Sequence, residues 1–82
     1  MEQLSPRQIA ILHKFNPNNY PTGLGPRACA SYGQSEWSLD WRKFSRVLDK
    51  LVALGLLTKS SLNWYYMTDE LWELFMSAYP QE

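Results

Sequence analysis

Apolar residues recur at helical spacing in three stretches of the chain, each bounded by residues that start or stop helices. The first stretch carries Ile9, Leu12 and Phe15, which fall on one face of a helix. Ser5 precedes it, Pro6 takes the first helical position, and Gln8 stands three residues after the serine. That is the pattern of a capping box with a proline opening, and Leu4 and Ile9 flank it at the spacing of a hydrophobic staple. The helix is expected to stop near Asn16, because NPNNYPTGLGP is dense in turn formers and prolines. A weaker second helix opens at Pro26, continues through Ala28, Ala30 and Tyr32, and is expected to end at Gly33. QSEWSL would then be a linker longer than a tight turn between helices needs.

The third stretch is the most strongly patterned. Asp40 is a good cap, with Leu39 and Phe44 at staple spacing around it. Phe44, Val47, Leu48, Leu51 and Leu54 make one apolar face, so a helix is expected over about 40–54. Gly55 is placed to end it in the left-handed conformation. The period then changes: residues 56–59 and 64–67 are short β-prone runs around the polar tetrad 60–63, which predicts a hairpin. Thr68 caps a last helix, with Asp69 and Glu70 in its positive first turn. Leu71, Trp72, Leu74, Phe75, Met76 and Tyr79 cover more than one side of that helix. Part of this surplus (Trp72, Phe75, Met76 or Tyr79) is expected to close on the first helix or to join two copies in a homodimer. The expected fold is one domain over 1–82, mainly α with a small β-hairpin: three helices, a two-stranded hairpin and a C-terminal helix.

Charge adds a direction to this picture. The formal net charge is zero, yet all eight Lys and Arg fall before residue 60, against four acids there. Residues 68–82 hold Asp69, Glu70, Glu73 and Glu82 and no base. Such segregation suits an anionic partner on one surface and a separate second surface. Four of the bases, Arg42, Lys43, Arg46 and Lys50, lie off the apolar face of the third helix, with 43, 46 and 50 sharing one stripe.

Other chemistry is sparse. Cys29 is the only cysteine, so one chain can form neither a disulfide nor a cysteine-based metal site, and Cys29 is expected to be a small packing residue. His13 has no second His or Cys at ligand spacing and is expected on a helix surface. Gly23-Leu24-Gly25 lacks the preceding strand that a phosphate-binding loop requires, and Ser, His and Asp form no triad pattern. No cofactor and no enzymatic activity are therefore expected. MEQLSPRQ has no signal-like character and no apolar run reaches membrane-spanning length, which points to a cytoplasmic protein without a membrane partner.

The order helix, helix, long helix, hairpin, helix has the shape of a winged helix-turn-helix. Within it, DWRKFSRVLDKLVALGLL over 40–57 resembles the recognition helix of MarR-type transcriptional regulators. The matching positions are Phe44, Ser45-Arg46, Val47-Leu48, Asp49-Lys50-Leu51 and Gly55-Leu56-Leu57, and Tyr65-Tyr66-Met67-Thr68 is similar to the second wing strand and the next helix start. The match covers roughly the second half of the chain. It departs where Leu71 replaces a usual Gly, where 34–38 lengthen the turn, and in a short wing whose only nearby base is Lys59. The resemblance implies double-stranded DNA as partner and transcription regulation as role. Trp41, Arg42 and Lys43 would reach base edges and Arg46 bases or backbone, with Lys50 and Lys59 as further DNA-binding residues. The competing expectation is a winged helix used for protein–protein contact, for which zero net charge and Trp37, Trp41, Trp64 and Trp72 speak.

Overall fold

The computed structural model describes residues 4–80, and its helices begin where the capping residues stand. Helix α1 spans Pro6–Lys14; the Ser5 hydroxyl accepts from Gln8 N–H while the Gln8 side chain accepts from Ser5 N–H, a complete capping box. Helix α3 (Trp41–Ala53) opens with the Asp40 carboxylate accepting from Lys43 N–H at 2.9 Å. Helix α4 (Asp69–Ala78) opens with the Thr68 hydroxyl accepting from Leu71 N–H. At the end of α3, Gly55 has φ +80°. Its N–H donates to Val52 C=O and that of Leu56 to Leu51 C=O, which satisfies carbonyls the helix leaves open.

Helix α2 spans Pro26–Trp37 and corrects two expectations. Gly33 does not end it: the helix runs on for another turn and stops at Ser38, in the left-handed conformation at φ 53°. The supposed linker is thus mostly helix, and only residues 38–40 separate α2 from α3. The reason for Gly33 is proximity. A Cβ there would lie 2.5 Å from Cγ of Phe44, so the missing side chain lets α3 press directly onto α2.

The hairpin is shorter than its sequence runs. Strand β1 is Thr58–Lys59 and β2 is Tyr65–Tyr66, antiparallel, with Thr58 opposite Tyr66 and Lys59 opposite Tyr65. Ser60 organises the turn: its N–H donates to Trp64 C=O, and its hydroxyl accepts from the N–H groups of Leu62 and Trp64. Tyr65 also makes a bridge to Leu24, with reciprocal backbone bonds of 2.8 and 3.0 Å. The approach is close enough that a Cβ on Gly23, itself at φ +85°, would collide with the Tyr65 carbonyl.

One apolar core joins all four helices and the hairpin. Ile11, Leu12, Phe15, Cys29, Phe44, Leu48, Leu51, Tyr65 and Phe75 form its centre. Ile11, outside the predicted stripe, is fully buried, whereas Val47 is only half-buried and Leu54 is 38% exposed. About 100° of rotation per residue explains both shortfalls, since positions 47 and 54 lie progressively to one side of the Phe44–Leu48–Leu51 line. On α4, Phe75 is buried and Leu71, Trp72, Met76 and Tyr79 pack partly against the core. The Tyr79 hydroxyl accepts from Leu4 N–H at 3.1 Å, tying the end of α4 to the entry of α1. The aromatic surplus therefore closes on α1, and Leu74, 63% exposed, is what α4 leaves outside. No helix among the described residues is long and apolar enough to cross a membrane.

Candidate nucleic-acid interface

Burial of Phe44, Leu48 and Leu51 fixes which side of α3 faces out. Arg42 and Arg46, one turn apart, stand opposite that buried line. Lys43 and Lys50 lie on the flank shared with Val47 and Leu54, and Asp49 lies on the other flank. Arg42, Lys43, Arg46 and Lys50 are all exposed. Among the described residues the one ion pair is Lys59–Asp49, so these four cations have no carboxylate partner. Trp41, at 36% exposure, precedes Phe44 by three residues and Leu48 by seven, which sets it at the margin of the buried side rather than among the arginines.

Lys59 occupies a different environment from the one expected of a wing base. Its ammonium lies 3.3 Å from Asp49 Oδ1 and 5.3 Å above the Tyr65 ring. The same oxygen accepts from the Tyr65 hydroxyl at 2.7 Å. Burial, then the Asp49 hydrogen bond and charge, push the Tyr65 phenol well above its ordinary range, so it stays a donor. The strand register puts Lys59 opposite Tyr65, and both then reach α3 through one carboxylate. An exposed ion pair of this kind contributes at most about 1 kcal/mol; its effect here is positional, holding the hairpin beside the outer face of α3. Asp49 is the residue that sequence reasoning overlooked, because nothing local links it to a lysine ten positions on.

The remaining reactive groups are packed. Cys29 is fully buried, its thiol donates to Leu24 C=O, and burial raises its pKa to about 11. His13 is not a free surface residue. Its ring makes edge contacts with Phe75 at 4.8 Å and Trp72 at 6.0 Å, and its Nδ1 is buried without a hydrogen-bond partner. Burial lowers its pKa from 6.5. The folded state thus binds the imidazole proton less readily than the unfolded chain does, so stability is full above about pH 6.5 and declines as pH falls below it. Thermal melts between about pH 7.5 and 5 should show that decline, and His13→Phe should flatten it. As His13 is the one histidine in the chain, an unchanged slope in the variant would refute the assignment. No three His, Cys, Asp or Glu residues among those described are grouped to hold a metal ion.

Of the four tryptophans, Trp37 and Trp72 are half-buried and Trp64 is 39% exposed, its ring over Gly25. The chain matches no family model, no curated protein and no solved structure.

Proposed function

We propose that the chain is a winged helix-turn-helix protein of MarR-like type that binds double-stranded DNA through α3 in the major groove and acts in transcription regulation, without enzymatic activity or a cofactor. The observation that carries this reading is the two-sidedness of α3: an inner face sealed by Phe44, Leu48 and Leu51, and an outer face bearing exposed cations with no carboxylate partner among the described residues. A helix can enter the major groove only if one side of it is free and complementary to phosphate and base edges. Two further features support the reading. The turn of residues 38–40 between α2 and α3 has helix-turn-helix length. The hairpin follows α3 directly and is fastened to it at Asp49. Arg42 and Arg46 take the base-reading role, Lys43 and Lys50 lie toward the backbone, and Trp41 packs at the edge. Lys59 serves the hairpin's attachment more than the DNA.

A fluorescence-anisotropy titration of duplex DNA over a salt series tests the proposal. With about three phosphate contacts the log–log slope should be near −3, a loss of roughly fortyfold between about 50 and 200 mM salt. The other reading, a winged helix that binds protein, draws on the exposure of Trp41, Trp64 and, at 75%, Leu62. Absence of measurable duplex binding at about 50 mM salt would favour it.

A further inference from the structure

Leu62, at the tip of the hairpin, is the most exposed large apolar residue among those described, at 75%, and takes no part in the core. The turn that carries it is nevertheless tightly held. Ser60 N–H donates to Trp64 C=O at 2.8 Å and Asn63 N–H to Ser60 C=O at 3.1 Å. The Ser60 hydroxyl accepts from the N–H groups of Leu62 and Trp64, and Asn63 closes the turn in the left-handed conformation at φ 64°. No charged residue stands between Lys59 and Asp69, and Lys59 is engaged by Asp49. Asp49 follows Arg46 by one helical turn, so the hairpin fastened to it flanks the arginine side of α3. What the tip offers a partner is shape and hydrogen bonds, not charge.

We infer that Leu62 is a wedge that enters the minor groove of duplex DNA, parts one base step and kinks the duplex. The inference rests on the DNA reading of α3 and deepens it, from contact with a site to deformation of it. An element that flanks a helix seated in the major groove is placed to meet the adjacent minor groove. Apolar side chains inserted there unstack a step and bend the duplex by about 20–90°. A tip already fixed by its own hydrogen bonds loses little conformational freedom on insertion. Asn63 stands next to the leucine, and its amide can donate to the adenine N3 and thymine O2 acceptors of that groove. Protein contact suits the tip less well. The next large apolar residue, Trp64, has its ring over Gly25, and one leucine falls far short of the roughly 800 Å² that each side of a stable protein interface buries. A sequence preference follows. Pyrimidine–purine steps open most easily, so the bound site should carry TA or CA/TG under the tip, read through deformability without a base contact.

Selection from random duplexes with the wild-type chain supplies the site, and energy transfer between dyes on the two duplex ends then reads its bend. The wild type should bend the selected duplex by at least about 30°. Leu62→Ala should leave it nearly straight and bind it about tenfold more weakly, whereas Leu62→Met should keep the bend. Replacing the flexible step by a stiff A-tract should weaken the wild type and leave Leu62→Ala almost unaffected. Leu62 is exposed, so thermal melts of these variants should match the wild type. A duplex bound without bending, or bent equally by Leu62→Ala, overturns the inference while the DNA reading stands, and leaves Leu62 to a protein partner. A wild type that selects and binds no duplex overturns both.

Discussion

Replacing Arg42 and Arg46 together by alanine is expected to weaken duplex DNA binding by a few hundredfold at about 50 mM salt. A base-reading arginine contributes about 1–3 kcal/mol, and two neighbours on one face lose roughly 3–4 kcal/mol together, at 1.4 kcal/mol per tenfold. Arginine and lysine substitutions on α3 should separate by character as well as size. Loss of a base contact relaxes preference at one position of the site, whereas Lys43→Ala, a phosphate contact, weakens all sequences alike and lowers the salt slope by about 1. The variants should stay folded, because both arginines are exposed and surface substitutions cost about 0.5 kcal/mol or less. Anisotropy with matched and scrambled duplexes, alongside thermal melts, measures both. A double variant that binds as the wild type does would remove α3 from the interface and return the function to protein contact.

Gly33→Ala should destabilise the fold by about 2–3 kcal/mol, a fall in melting temperature of about 10 °C or more for a domain of this size. Helix propensity alone predicts the opposite sign, since alanine is favoured over glycine by about 1 kcal/mol in a helix interior. Packing decides the balance. The new methyl would meet Cβ, Cγ and Cδ2 of Phe44 at 2.5–2.9 Å, and Cβ and Cγ are the root of that side chain, which no rotamer carries far away. The helices must separate, and α3 moves with its arginines. Phe44→Ala removes the ring and should cost about 3–5 kcal/mol. Combined with Gly33→Ala it should cost less than the two together, by about 1 kcal/mol, because the methyl then enters the space the ring vacates. A stabilised Gly33→Ala protein would contradict the close approach of α2 and α3.

That glycine also marks where the sequence stops being legible. Ser5, Asp40, Gly55 and Thr68 could be read directly, because a cap is decided by residues three or four positions apart. Gly33 offers two meanings, a left-handed terminator or a place for another helix to approach, and only the position of Phe44 selects between them. Ser38 took the terminating role without any of the usual signs, as a non-glycine at φ 53°. The cations of α3 could be placed on its outer face from periodicity alone. Capture of Lys59 by Asp49, the edge contact of His13 with Phe75 and the pairing of Leu24 with Tyr65 could not, since each joins segments whose proximity is a product of the whole fold.

The reciprocal bonds between Leu24 and Tyr65 bear on the order in which the molecule assembles. A two-residue hairpin cannot persist in water by itself, and the bridge that steadies it closes a loop of about forty residues, an entropic cost that must be met before the contact gives anything back. The helices, whose bonds are local, can form and dock first; the hairpin is then a late arrival, dependent on α2 and α3 already being in place. Its tip has no independent foldedness to lose, and any partner that grips it is gripping the stability of the entire domain.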